Sequence, residues 1–252
     1  MKLLTLARDL RRRKARERQG LFAAEGVRAV EELARSPLAI RGVLVAPQLA
    51  DAPRGAALLD ALRRHGTEVV EVSALEFASA AETESPQGVL AVAEIPHRSL
   101  DDLVLPARAR LVLLDAVQDP GNVGTIVRTA AALGAAAVVA LPGTVDLWNA
   151  KVVRSAMGAS FTMPAFFCTW DQLDLFRRRC SVALWGADAG GSPLDSLTPP
   201  DRLGLVVGNE GAGLSPESLG RVDVLASLPI DSAVESLNVA VATGILLYQL
   251  RT

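Results

Sequence analysis

The chain has 252 residues, half of them hydrophobic and 4% aromatic, with a net charge of -2. That length suits one large domain or two modest ones, and the apolar content supplies a sizeable core. No apolar run approaches the roughly 20 residues of a membrane span. The two cysteines, without CxxC spacing, exclude a disulfide framework and a zinc site, so a cytoplasmic protein without metal is expected.

Charge is unevenly spread. Residues 1–18 carry eight basic residues against two acids, a net of +6 that leaves -8 on the rest. This pattern suits a solvated helix face or a phosphate-contacting arm. Its apolar residues precede the basic cluster, the reverse of a signal peptide. LFAAEGVRAVEELARS (21–36) has helical spacing and stops before Pro37. IRGVLVAP (40–47), TEVVEVS (67–73) and GVLAVAEIP (88–96) read as strands. RGAALLDALRRHG (54–66) reads as an amphipathic helix closed by Gly66. The polar, Pro-containing stretch 96–110 marks a boundary, giving expected domains 1–105 and 106–252.

The second half alternates continuous apolar strands with helices, the signature of a doubly covered parallel sheet. Strands are expected at 110–115, 135–141, 181–188, 202–208 and 224–230. Helices are expected at 119–134, near 149–158, at 171–180 and from about 237. Ligands on such sheets bind beyond the carboxyl ends of the strands.

Three loops fall there. DAVQDPGNVGTIVRT follows the first strand; Asp119 can cap its helix and Pro120 suits the first turn. Asn122 and Arg128 are its chemical side chains. LVVGNEGAGLSPE (205–217) ends a strand in glycines around Glu210, with no lysine to make a phosphate cradle. LPIDSAVESLNVAVATGILLYQL (228–250) offers Ser236 as a cap and Asn238 in the first turn of an otherwise apolar helix. Each loop alone also fits ordinary capping and solvation. Together they gather Asn, Arg, Glu and Ser with glycine amides, and no His, Cys pair or Lys nucleophile. Most acyl-transfer and metal chemistry is thereby excluded, leaving a reaction whose hard part a cofactor carries.

These three stretches, in this order, resemble the three motifs of the SPOUT methyltransferases, in the SpoU/TrmH branch that methylates RNA ribose 2′-hydroxyls. WNAKVVRSAMGASF (148–161) is similar to the family as well. FAAEGVRAVEE and SPQGVLAVAEIP more weakly resemble the ribosomal-protein-like RNA-binding domain that precedes it in many members. The resemblance implies an α/β fold with a deep C-terminal trefoil knot and a homodimer. It implies S-adenosylmethionine as donor and RNA as substrate, with 23S ribosomal RNA favoured over transfer RNA. Asn122, Arg128, Glu210, Ser236 and Asn238 match the catalytic positions. Val207, Gly208, Asn209, Glu210, Gly211 and Ile230 match the cofactor site, together with Ser236, Leu237 and Asn238. Arg11, Arg12, Arg13, Lys14, Lys151 and Arg154 are the expected RNA contacts. A nicotinamide-binding protein is a competing reading, but no GxGxxG follows either first strand. A non-catalytic RNA-binding protein is another.

Overall fold

The computed structural model describes residues 2–231 and 233–251. They form two compact units, residues 1–97 with 148–162, and residues 98–147 with 163–252.

The first unit begins with two short helices, α1 (Leu3–Asp9) and α2 (Arg13–Gln19). Next come β1 (Leu21–Glu25), α3 (Val27–Arg35), β2 (Ile40–Val45), α4 (Pro53–Arg64), β3 (Val69–Glu71), α5 (Ala74–Ala80) and β4 (Val89–Glu94). The sheet order is β1-β4-β2-β3. The helix expected over 21–36 is divided here. Residues 21–25 pair antiparallel with β4, and only 27–35 are helical. Gly26, at φ +99°, turns the chain between them as few other residues would. Pairing with the apolar β4 outweighs the helical spacing of the first five residues, since strand formation depends on neighbours more than on local preference.

The second unit is built on β5 (Ala109–Leu114), α6 (Pro120–Ala132) and β6 (Ala137–Ala140). The chain then forms α7 (Ala150–Ser155), inside the stretch that belongs to the first unit. There Trp148 and Phe161 lie 4.5 and 5.8 Å from Phe22, ring centre to ring centre. Then follow β7 (Ala165–Phe167), α8 (Trp170–Cys180), β8 (Ala183–Pro193), β9 (Arg202–Val207), α9 (Pro216–Leu219), β10 (Val224–Ser227) and α10 (Val239–Leu250). The order β10-β8-β9-β5-β6-β7 is parallel throughout. Buried apolar residues from β5, β6 and α8 form one core cluster. Arg110, at the start of β5, donates to Leu250 O at 2.6 Å and Asp201 O at 2.7 Å. It thereby fastens the last turn of α10 to the sheet.

Candidate active site

The site grows from the carboxyl ends of β5 and β9, adjacent strands at the sheet centre. β5 runs into Asp115, a buried carboxylate that accepts from Ser215 N at 2.6 Å and from Ser218 Oγ. Asp115 thus pins the far end of the glycine-rich loop that follows β9. Ala116 takes a left-handed φ of +55°, and its carbonyl accepts from Asn209 Nδ2 at 3.0 Å. Asp119 caps α6 by accepting from Asn122 N at 2.8 Å.

Asn209 opens the glycine-rich loop and also folds it. Its Oδ1 accepts from Gly211 N at 2.9 Å and Ala212 N at 3.0 Å. Its backbone pairs with Gly213 in both directions. A Cβ on Gly208 would lie 2.3 Å from Gly213 C, so only glycine fits there. Side chain and backbone of Asn209 therefore both build the loop.

Glu210 leaves this turn to meet the start of α6. It accepts from Asn122 Nδ2 at 3.0 Å, Asp119 N at 3.1 Å and Gln118 N at 3.3 Å. Burial pushes its carboxyl up, but donors from Asn122 and from the backbone of Glu210, Asp119 and Gln118 outweigh it and hold the carboxyl below its ordinary value. Asn122 Oδ1 in turn accepts from Asn238 Nδ2 at 2.9 Å. Asn238 Oδ1 accepts from Ala240 N and Val241 N, so Asn238 is the cap of α10. The cap expected at Ser236 falls here instead, because the helix starts at Val239 and only Asn238 reaches its first free amides.

A cavity of about 410 Å³ lies beside this chain of hydrogen bonds. Such a volume suits a small organic ligand. Val207, Gly208, Asn209, Glu210 and Gly211 line it from the β9 side. Ile230, Ser236, Leu237 and Asn238 line it from the loop before α10. A third wall escaped sequence reasoning. Between Leu225 and Ala226 of β10 the partner on β8 jumps from Gly186 to Ser192. Residues 187–191 therefore bulge out, and Ala187, Asp188 and Ala189 reach the cavity. The Gly190–Gly191 pair inside an apolar strand is the signal that points to such a bulge.

Arg128 is not brought into this cluster. It is exposed and outside the cavity lining, about 9 Å along α6 from Asn122 at 1.5 Å per residue. It shares an outward stripe with Thr125 and Ala132.

The basic N-terminal residues are folded into α1 and α2. Arg12 pairs with Asp9, Arg13 with Glu17 at 2.7 Å, and Arg11 donates to Ser79 O at 3.4 Å, while Lys14 is exposed. Arg16 is buried and donates to Leu10 O at 2.7 Å, a structural role. Lys151 is exposed on α7, and Arg154 is half-buried with its Nη1 lacking a hydrogen-bond partner among the described residues. Those residues contain no group of His, Cys, Asp and Glu suited to a metal ion, and no helix long and apolar enough to cross a membrane.

Residues 109–248 match the SpoU rRNA Methylase family, and residues 5–91 match the MRM3-like substrate binding domain. The chain is 37% identical to the 23S rRNA (guanosine(2553)-2'-O)-methyltransferase RlmP of Bacillus subtilis (strain 168), over 97% of this chain and 94% of that protein. It is 30% identical to the 23S rRNA (uridine(2479)-2'-O)-methyltransferase of Streptomyces viridochromogenes, over 94% of this chain and 84% of that one. The crystal structure of the SpoU methyltransferase AviRb from Streptomyces viridochromogenes, in complex with AdoMet, superposes with a TM-score of 0.88. Identity there is 29%, covering 99% of this chain and 97% of that one. With its fold and its sequence in agreement, the chain belongs to the SpoU rRNA methylase family.

Proposed function

We propose that the protein methylates a ribose 2′-hydroxyl of ribosomal RNA, 23S rRNA first of all, with S-adenosylmethionine as donor. The observation that carries this reading is the Glu210–Asn122–Asn238 chain closing the edge of a glycine-walled cavity. The cavity suits the donor. No Lys or Arg lines it among the described residues, as a phosphate ligand would demand. Backbone around Val207, Gly208, Gly211, Ile230 and Leu237 would hold the adenosyl and methionine parts, with Leu246 supplying apolar surface. When bound, S-adenosylmethionine supplies an electrophilic methyl group on a sulfonium.

The chain's own residues position the acceptor and stabilise its charge. Asn122 and Asn238 each donate one amide N–H within the chain, leaving a second to hold an incoming oxygen. A guanidinium stays protonated, so Arg128 stabilises a developing alkoxide or grips a phosphate and does not take the proton. A second protomer brings it to the site in this reading. α6 and α10 share an outward groove with Val241, Ile245 and Tyr248 39 to 55% exposed, beside the Arg128 stripe. A homodimer covering that face would join Arg128 of one copy to the cavity of the other.

The same reading includes a trefoil knot in the C-terminal segments and a cytoplasmic location, the latter in keeping with two free cysteines. Residues 1–105 serve as the RNA-binding domain and 106–252 as the methyltransferase domain. Arg11, Arg12, Arg13, Lys14, Lys151 and Arg154 are its phosphate contacts.

Labelled S-adenosylmethionine supplied with 23S rRNA and transfer RNA tests the proposal. Label in alkali-resistant dinucleotides of 23S rRNA is expected. Label confined to transfer RNA, or to a base, would falsify it.

A further inference from the structure

The bulge in β8 delivers a carboxylate that no motif of the family accounts for. Asp188 lines the cofactor cavity, and its Oδ1 accepts from Gly190 N at 2.8 Å, which leaves Oδ2 open among the described residues. The bulge is built, not loose. A Cβ on Gly191 would lie 2.6 Å from the Leu225 carbonyl carbon, and Gly191 O accepts from Ser227 Oγ at 2.9 Å. The other carboxylates lining the cavity are differently placed. Glu210 is turned toward Asn122 and the backbone before α6, and Glu235 is exposed on the loop before α10. No cationic side chain lines the cavity among the described residues.

Donor and product differ by one charge. The sulfonium becomes a neutral thioether, while the ribose, adenine and amino-acid parts are unchanged. A fixed carboxylate in a cavity without cations attracts the cationic form more strongly, at a range that needs no direct contact. We propose that Asp188 is a specificity-determining residue that favours the sulfonium donor over the thioether product and so limits product inhibition. This rests on the cofactor reading above.

Calorimetry on the full-length protein separates the two. Wild-type binding of S-adenosylmethionine tests the cofactor reading alone, and the donor-to-product affinity ratio tests Asp188. Asp188→Asn keeps an acceptor for Gly190 N–H. It is expected to weaken S-adenosylmethionine and sinefungin, which has an ammonium in place of the sulfonium, about three- to tenfold. S-adenosylhomocysteine should bind as before. In the wild type, raising the salt should lower the same ratio. Equal weakening of all three ligands would assign Asp188 to the ribose diol or to the fold and overturn the proposal. So would unchanged binding of all three, or a wild-type ratio insensitive to salt. If Asp188→Asn does not fold, Asp188→Ser poses the same ratio test.

Discussion

Glu210 decides the polarity of the site. A carboxylate only accepts, so Asn122 must present its amide nitrogen to it and its oxygen to Asn238. Asn238 then has its own oxygen free for the amides of α10. Glu210→Gln puts an NH2 group among three donors and breaks this order. We expect kcat/KM to fall about 10- to 100-fold, as one or two of the donors that the carboxylate holds lose their acceptor. An effect under threefold, in a variant with native thermal unfolding, would sink the idea. The sign of the pH dependence follows from the lowered carboxyl of Glu210. Its contribution is fully present above the ordinary carboxyl value of 4.5 and is lost only as pH falls through the lower folded value. Donor affinity followed against pH should show no Glu210-dependent loss above pH 4.5; a loss at pH 5 to 6 that vanishes in Glu210→Gln contradicts this.

At the scale of elements, α10 and the 148–162 segment each carry a double duty. Asn238 caps α10 and orients Asn122, and two substitutions part these roles. Asn238→Ala should cost about 1 kcal/mol of stability for the cap. Asn238→Ser restores the cap but cannot reach Asn122, so stability should return while kcat stays low. Recovery of both in the serine variant would show that only the cap matters. Trp148 packs against Phe22 inside the first unit with its ring tilted by 39°, and both are nearly fully buried. Trp148→Ala should lower unfolding stability by about 3 to 5 kcal/mol in urea titrations. A loss below about 1 kcal/mol would mean that the segment adds little to that core. The division of 21–36 into strand and helix belongs to this scale too. Its helical spacing is real over Val27–Arg35, where Val27, Val30 and Leu33 are buried, but the first five residues answer to β4.

At the scale of the whole molecule, the proposed dimer makes a quantitative prediction. Arg128→Ala and Glu210→Gln protomers, each at about a tenth of wild-type activity or less, are mixed and allowed to exchange. If Arg128 serves the partner's site, a mixed dimer holds one intact site, and activity recovers to about a quarter of wild type on random pairing. If both residues act within one chain, the mixture stays at the level of the separate variants. The sequence by itself determined the second unit's alternation of strands and helices, the capping by Asp119, and the three loops bearing Asn122, Glu210 and Asn238. Local rules carry those features: apolar runs, prolines at helix starts and glycines at turns. Only the tertiary structure decided that residues 88 and 116 positions apart meet through single hydrogen bonds. It alone placed Asp115 beneath the glycine-rich loop, pushed Asp188 into the cavity, and gave residues 148–162 to the first unit. Those outcomes depend on which strands lie side by side, and strand order is set by burial of the whole sheet, which no short window of sequence contains.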